Sequence, residues 1–138
     1  MTGTYVTVAA GDGGEFKAYV STPETGSGPG IVLLQEIFGV NRSMRDVADY
    51  YAEEGYVVIA PDLFWRIEPG IELGYTEADV QKGRGYKQQF DVDQALEDIA
   101  ATVRQYLVDT FKNPPEGVTS RFQVVDDPKG AKIGRAHV

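Results

Sequence analysis

The sequence predicts an α/β fold with a mixed sheet, in which an antiparallel hairpin leads into a parallel βαβ unit and helices follow. Three observations carry that reading. The first twenty-one residues hold two apolar stretches around a glycine-rich turn, the second of them alternating as a half-exposed antiparallel strand does. Ile31–Leu34 and Val57–Ala60 are apolar without alternation, as in strands covered on both faces. Between and after these runs, apolar residues recur at helical spacing.

Each element has its own signal. Tyr5–Ala9 (YVTVA) reads as the first strand and Gly11-Asp12-Gly13-Gly14 as the turn. In Glu15–Ser21, Phe16, Ala18 and Val20 face one way, and Lys17, Tyr19 and Ser21 the other. Thr25–Gly30 is a loop before the strand at Ile31–Leu34. Met44, Val47, Ala48 and Tyr51 form the apolar stripe of a helix that Asn41 or Ser43 can cap and Gly55 can end. Val57–Ala60 is the next strand, stopped by Pro61, and the crossover from the strand before it is right-handed. Residues 62–75 read as loop. Thr76 and Asp79 have the spacing of a capping box, and Asp91 with Gln94 repeats it more weakly. Val92, Leu96, Ile99, Val103 and Leu107 make the stripe of a long helix ended by Asn113-Pro114-Pro115. Residues 116–130 are turn-rich and fit no element clearly. Only two buried parallel strands are present, so the expectation is the first half of a larger domain.

Composition narrows the function. A chain of 138 residues is enough for one domain and too few for two. A formal net charge of −8 repels phosphates, which argues against nucleic acid and anionic membrane as partners. The absence of cysteine excludes a disulfide framework and thiol chemistry within these residues. Met1–Ala10 lacks the basic residues and apolar run of a signal peptide, and no run is long enough to span a bilayer. A soluble, cytoplasmic protein is expected.

Most chemical motifs are missing. There is no phosphate-binding glycine loop, and Gly26–Gly30 precedes a strand where such a loop follows one. No metal site is expected. The single histidine, His137, has no cysteine to accompany it, and the acidic pairs Asp91/Asp93 and Asp126/Asp127 fit helix caps and turns. None of the four serines, Ser21, Ser27, Ser43 and Ser120, sits in G-x-S-x-G. The informative segment is Leu34-Gln35-Glu36-Ile37-Phe38-Gly39-Val40-Asn41. It follows a buried strand, and ligands of open α/β sheets bind outside the carboxyl ends of the strands. Glu36 stands there, although position alone fits a surface loop carboxylate equally well. Phe38 suits core or pocket. Trp65, after the next strand, lies on the same rim and also suits simple packing.

The run Gln35-Glu36-Ile37-Phe38-Gly39-Val40-Asn41, with Gly55-Tyr56, Ala60-Pro61-Asp62-Leu63-Phe64 and Phe90-Asp91 before Asp98-Ile99-Ala100-Ala101-Thr102, resembles the dienelactone hydrolase family (carboxymethylenebutenolidases) over about residues 1–110. The resemblance implies the N-terminal half of an α/β-hydrolase fold, truncated before the nucleophile elbow. It implies cofactor-free hydrolysis of ester or lactone bonds by a Cys–His–Asp triad, in proteins that usually act as monomers. By the same resemblance Glu36 contacts the resting nucleophile and tunes it, and the Ile37 backbone N–H helps form the oxyanion hole. Phe38 and Arg84, in Gly83-Arg84-Gly85-Tyr86, are the candidates for substrate binding, Arg84 through a substrate carboxylate; a solvated helix face accounts for Arg84 as well.

The triad itself has no counterpart here. Lys132-Ile133-Gly134 resembles the opening of the strand that leads to the family's nucleophile, and Arg135-Ala136-His137-Val138 departs from it. Ile133–Val138 (IGRAHV) is also what ATC GGA AGA GCA CAC GTC encodes, a string within a widely used sequencing adapter whose next triplet is a stop. Residues 1–132 are therefore expected to be an incomplete α/β-hydrolase domain, and 133–138 a non-native tail of adapter read-through. The 138 residues are expected to be inactive. Two other readings stay open: a non-catalytic α/β module binding a small molecule or partner, and a serine esterase of the same superfamily.

Overall fold

The computed structural model describes residues 3–108, 125–127 and 130–132. Strands β1 (Thr4–Ala9) and β2 (Glu15–Ser21) form the hairpin, followed by β3 (Gly30–Val32), α1 (Arg42–Glu53) and β4 (Val57–Pro61). Then come α2 (Glu77–Gln89) and α3 (Val92–Thr102), the latter running on as π-helical turns over Val103–Val108. A short antiparallel pair, β5 (Val125–Asp127) and β6 (Gly130–Lys132), begins within the 116–130 stretch that sequence left unassigned and ends at Lys132. The expected helix end at Asn113-Pro114-Pro115, His137 and the expected tail 133–138 lie outside the described residues.

The four main strands are ordered β1-β2-β4-β3. β1/β2 and β2/β4 are antiparallel, and β3/β4 are parallel across the α1 crossover. This is the mixed sheet the sequence predicts. β4, from Val57 to Pro61, is buried along its whole length because strands flank it on both sides and helices cover it.

Helix boundaries follow local chemistry. The Asn41 side chain accepts from the Met44 N–H at 3.1 Å and caps α1, so Asn41 takes the role it shared with Ser43 in the sequence reading. At the other end, Gly55 N–H donates to Ala52 O and Tyr56 N–H to Tyr51 O, a Schellman pair that needs the left-handed φ of +104° only glycine adopts freely. Thr76 and Asp79 form the capping box of α2 in full. The Asp91 side chain accepts from Asp93 N–H and Gln94 N–H at the start of α3.

Four expectations are corrected. Among the described residues, Ile31–Leu34 is not covered on both faces: β3 ends the strand order, Ile31 and Val32 are half-buried, and Leu34 is 49% exposed. The α1 stripe turns away from the predicted one. Ala48 is buried as predicted and Ala52 with it, while Val47 and Tyr51 are exposed, because Asp49 turns the helix toward β2 to accept from Tyr19 and Ser21 hydroxyls, each at 2.8 Å. For the same reason Tyr19 and Ser21 are buried, where alternation placed them on the open face of β2. On α3, Ile99 and Val103 are buried as the stripe predicts, but Val92 and Leu96 are exposed, and Ala95, Asp98 and Thr102 face inward instead. Asp98 turns the helix, for the reason given below.

The main core lies between the sheet and α3. Val8, Ala10, Phe16, Ala18, Val57, Ile59 and Val103 form one buried cluster, with Trp65 and Tyr106 against it. No helix among the described residues is long and apolar enough to cross a membrane.

Candidate active site

The Gln35–Gly39 loop leaves the carboxyl end of β3 and is fixed at several points. Gln35 Oε1 accepts from Leu63 N–H at 2.8 Å, tying the loop to the chain just beyond β4. Gly39 N–H donates to Glu36 O at 3.3 Å, and Leu73 N–H donates to Phe38 O at 2.9 Å. Gly39 has φ +77°, and a Cβ there would lie 2.0 Å from the Ile71 carbonyl oxygen, so both backbone and space demand glycine. Gly83, the one buried residue of α2, allows the helix to approach Ile37: a Cβ there would stand 2.7 Å from the Ile37 carbonyl oxygen.

A cavity of about 180 Å³ opens beside this loop, lined by Gln35, Glu36, Ile37, Leu63, Phe64, Lys87 and Phe90. Phe64 packs against Phe90 at 5.6 Å and Tyr86 at 5.8 Å between ring centroids, making an aromatic wall. Glu36 is exposed at the mouth. No described residue accepts from the Ile37 N–H. The cavity thus combines an apolar wall, a carboxylate, an ammonium and a backbone donor with no partner among the described residues, the usual composition of a small-molecule site.

The sequence candidates separate in space. Glu36 and Ile37 come together at the cavity. Phe38 lies outside its lining, with its ring edge-on to Tyr75 at 4.6 Å. Arg84 is exposed and also outside the lining, and Lys87, one helical turn on, supplies the positive charge instead. Sequence reasoning missed Lys87 and Gln35. The i, i+3 spacing of Lys87 from Arg84 and the position of Gln35 at a strand end were the available signals.

Trp65 is part of a clamp on the opposite flank of the sheet. Its ring stacks on Phe16 at 5.5 Å, and its indole N–H donates to Asp98 Oδ2 at 2.9 Å. Arg66 donates to both Asp98 oxygens, at 2.9 and 3.0 Å, and to both Asp12 oxygens, at 2.7 and 3.0 Å. Asp98 is 1% exposed, and these donors are what let a carboxylate sit there. The guanidinium holds the Asp12 carboxyl below its ordinary value, and the two carboxylates raise Arg66 further above its own. Asp62 is different. Burial pushes its pKa up, against the opposing effect of bonds from Gly70 N–H at 2.9 Å and Phe64 N–H at 3.2 Å. Among the described residues no group of three His, Cys, Asp or Glu side chains is placed to hold a metal ion.

A mixed sheet with a parallel crossover, and a cavity at the carboxyl end of the crossover strands, defines an α/β protein with a candidate site where such folds bind ligands. The dienelactone hydrolase family profile matches residues 16–125, and the chain belongs to that family. The carboxymethylenebutenolidase of Pseudomonas sp. (strain P51) is 39% identical over 100 residues, which cover 71% of this chain and 42% of that protein. A second relative, provisionally named a carboxymethylenebutenolidase, from Azospirillum brasilense, is 51% identical over 71 residues, 51% of this chain and 31% of its own. Among solved structures, a protein of Klebsiella pneumoniae subsp. pneumoniae MGH 78578, provisionally named a dienelactone hydrolase, superposes with a TM-score of 0.57 at 25% identity. That match covers 77% of this chain and 45% of the Klebsiella chain. The chain therefore spans less than half the length of each of these relatives.

Proposed function

We propose that this chain is the N-terminal part of a hydrolase that opens ester or lactone bonds, and that the Gln35–Gly39 loop is its contribution to the active site. The observation that carries the reading is the juxtaposition of Glu36 and the Ile37 N–H at one cavity beyond β3. In this reading the Ile37 N–H donates to the oxyanion that forms when a nucleophile attacks the carbonyl. One such donor is worth about 3 kcal/mol of barrier. Glu36 lies beside the nucleophile and holds it protonated until substrate enters, because a thiol is a weak nucleophile until it loses its proton. Arg84 and Lys87 give this rim of α2 a positive charge for a substrate carboxylate, and Phe38 steadies the loop from behind. The water-excluding wall is Phe64 and Phe90.

The nucleophile, base and acid are not among these 138 residues in the family's pattern, so the chain by itself is expected to turn over nothing. A cysteine is the expected nucleophile of the longer protein, in line with the family resemblance, and a serine is the alternative. The substrate is a small ester or lactone, with no cofactor, in the cytoplasm. The same reading takes 133–138 as foreign to the gene. The test is an ester-hydrolysis assay on this chain and on the longer product read from the source locus beyond the codon for Lys132. The longer product is expected to be active and its Glu36→Gln variant altered in the pH dependence of kcat/KM. Turnover by the 138-residue chain above a denatured control, or an inactive longer product, would overturn the reading.

A further inference from the structure

We propose that Gln35 is a positioning residue for ester hydrolysis: its side-chain amide ties the chain beyond β4 to the Glu36–Ile37 peptide and so aims the Ile37 N–H at the substrate oxyanion. The inference rests on the hydrolase reading and adds to it the residue that sets the donor's direction.

The peptide between Glu36 and Ile37 is trans, so its C=O and N–H point to opposite sides of the chain in one plane. Whatever holds the carbonyl therefore aims the N–H. Two donors hold it. Gln35 Nε2 donates to Glu36 O at 3.2 Å, and Gly39 N–H donates to the same oxygen at 3.3 Å. Both belong to the loop itself, so the Ile37 N–H turns out of the loop. Gln35, Glu36 and Ile37 all line the cavity there.

The loop is anchored at two ends. At the far end, Phe38 O accepts from Leu73 N–H at 2.9 Å. At the near end the anchor is Gln35, whose Oε1 accepts from Leu63 N–H at 2.8 Å. The backbone at that point is held by the sheet: Asp62 N–H donates to Lys17 O at 2.9 Å, and Leu63 is buried. One side chain thus transmits the position of β4 to the peptide that carries the oxyanion donor. The two bonds call for a donor and an acceptor on the same group, which an amide supplies. Its orientation is fixed as well, since Leu63 N–H can only donate and Glu36 O can only accept.

The test uses the longer product of the source locus, with para-nitrophenyl acetate as substrate and an aryl trifluoromethyl ketone as the oxyanion-forming inhibitor. Gln35→Met keeps the bulk of the side chain and loses both bonds. Its kcat is expected to fall about tenfold or more with KM within about twofold, and inhibition by the ketone to weaken by the same factor. Its pH profile is expected to match the wild type, which separates a lost aim from a change at Glu36. Gln35→Glu keeps the acceptor for Leu63 N–H and lacks the donor for Glu36 O. It is expected to melt close to the wild type and still lose kcat. Unchanged kcat in Gln35→Met would overturn the inference and leave the hydrolase reading standing. So would a loss of kcat that only tracks a lowered melting temperature or a shifted pH profile, or failure of both variants to fold. A longer product without turnover would overturn the hydrolase reading and this inference with it.

Discussion

The two flanks of the sheet contrast sharply. On the β1/β2 side, Asp98 is almost wholly buried, and Trp65 and Arg66 supply every hydrogen bond it is seen to accept from side chains. The clamp links three segments far apart in sequence: the hairpin turn through Asp12, the 62–75 loop through Trp65 and Arg66, and α3. Around β3 and α1, by contrast, Leu34, Val47 and Tyr51 remain exposed. The difference teaches that burial in this chain is secured where polar groups find partners. Apolar pattern alone left Val47, Tyr51, Val92 and Leu96 at the surface.

The clamp is the place where this contrast breaks most easily. Asp98→Ala strands the indole N–H and removes the inner partner of Arg66. It is expected to cost about 4 kcal/mol, read as a lowered midpoint in chemical denaturation. A substitution outside the clamp separates backbone from charge: Gly39→Ala meets both an unfavourable φ and the Ile71 carbonyl, and is expected to cost about 3 kcal/mol. Asn41→Ala removes the α1 cap and the bonds from Asn41 Nδ2 to Leu73 O at 2.9 Å and the Tyr75 hydroxyl at 3.1 Å. About 2 kcal/mol is expected, with the α1 amides exchanging faster in the hydrogen-exchange measurement.

Titration sharpens the comparison with smaller effects of opposite sign. The folded pKa of Asp12 lies below its ordinary 3.8, so its contribution is present above that value and lost as pH falls through the folded pKa. Relative to Asp12→Asn, the wild type should therefore gain in melting temperature as pH rises through this acidic window. Asp62 has a folded pKa above 3.8, so its contribution is present below that value and lost as pH rises through the folded pKa. Relative to Asp62→Asn, the wild type should lose ground over that range. Equal pH profiles for the two pairs would contradict the assigned causes.

Much of this was legible in the sequence because it was local. The glycine-rich turn and the caps at Asn41, Thr76 and Asp91 all rest on residues within a few positions of one another, and the parallel pair on two apolar runs that each read locally as strands. The misassigned faces have non-local causes. Nothing near Asp49 in sequence announces that Tyr19 and Ser21 turn α1, and nothing near Asp98 announces Arg66 and Trp65. The site divides along the same line. Glu36 drew attention because it follows a strand end, and Ile37 entered only through the family resemblance. Lys87 was missed, since a surface lysine on a helix becomes a cavity wall only when the helix packs, and that packing hangs on Gly83 meeting Ile37.

The account turns on the Ile37 N–H and Glu36 serving a nucleophile supplied by further chain. The most direct measurement is to read the source locus past the codon for Lys132 and assay its full product for ester hydrolysis. The account predicts a cysteine or serine on a strand-to-helix turn soon after that codon, and turnover that the 138 residues lack. A locus that encodes IGRAHV and a stop, with no nucleophile and no turnover, would contradict it.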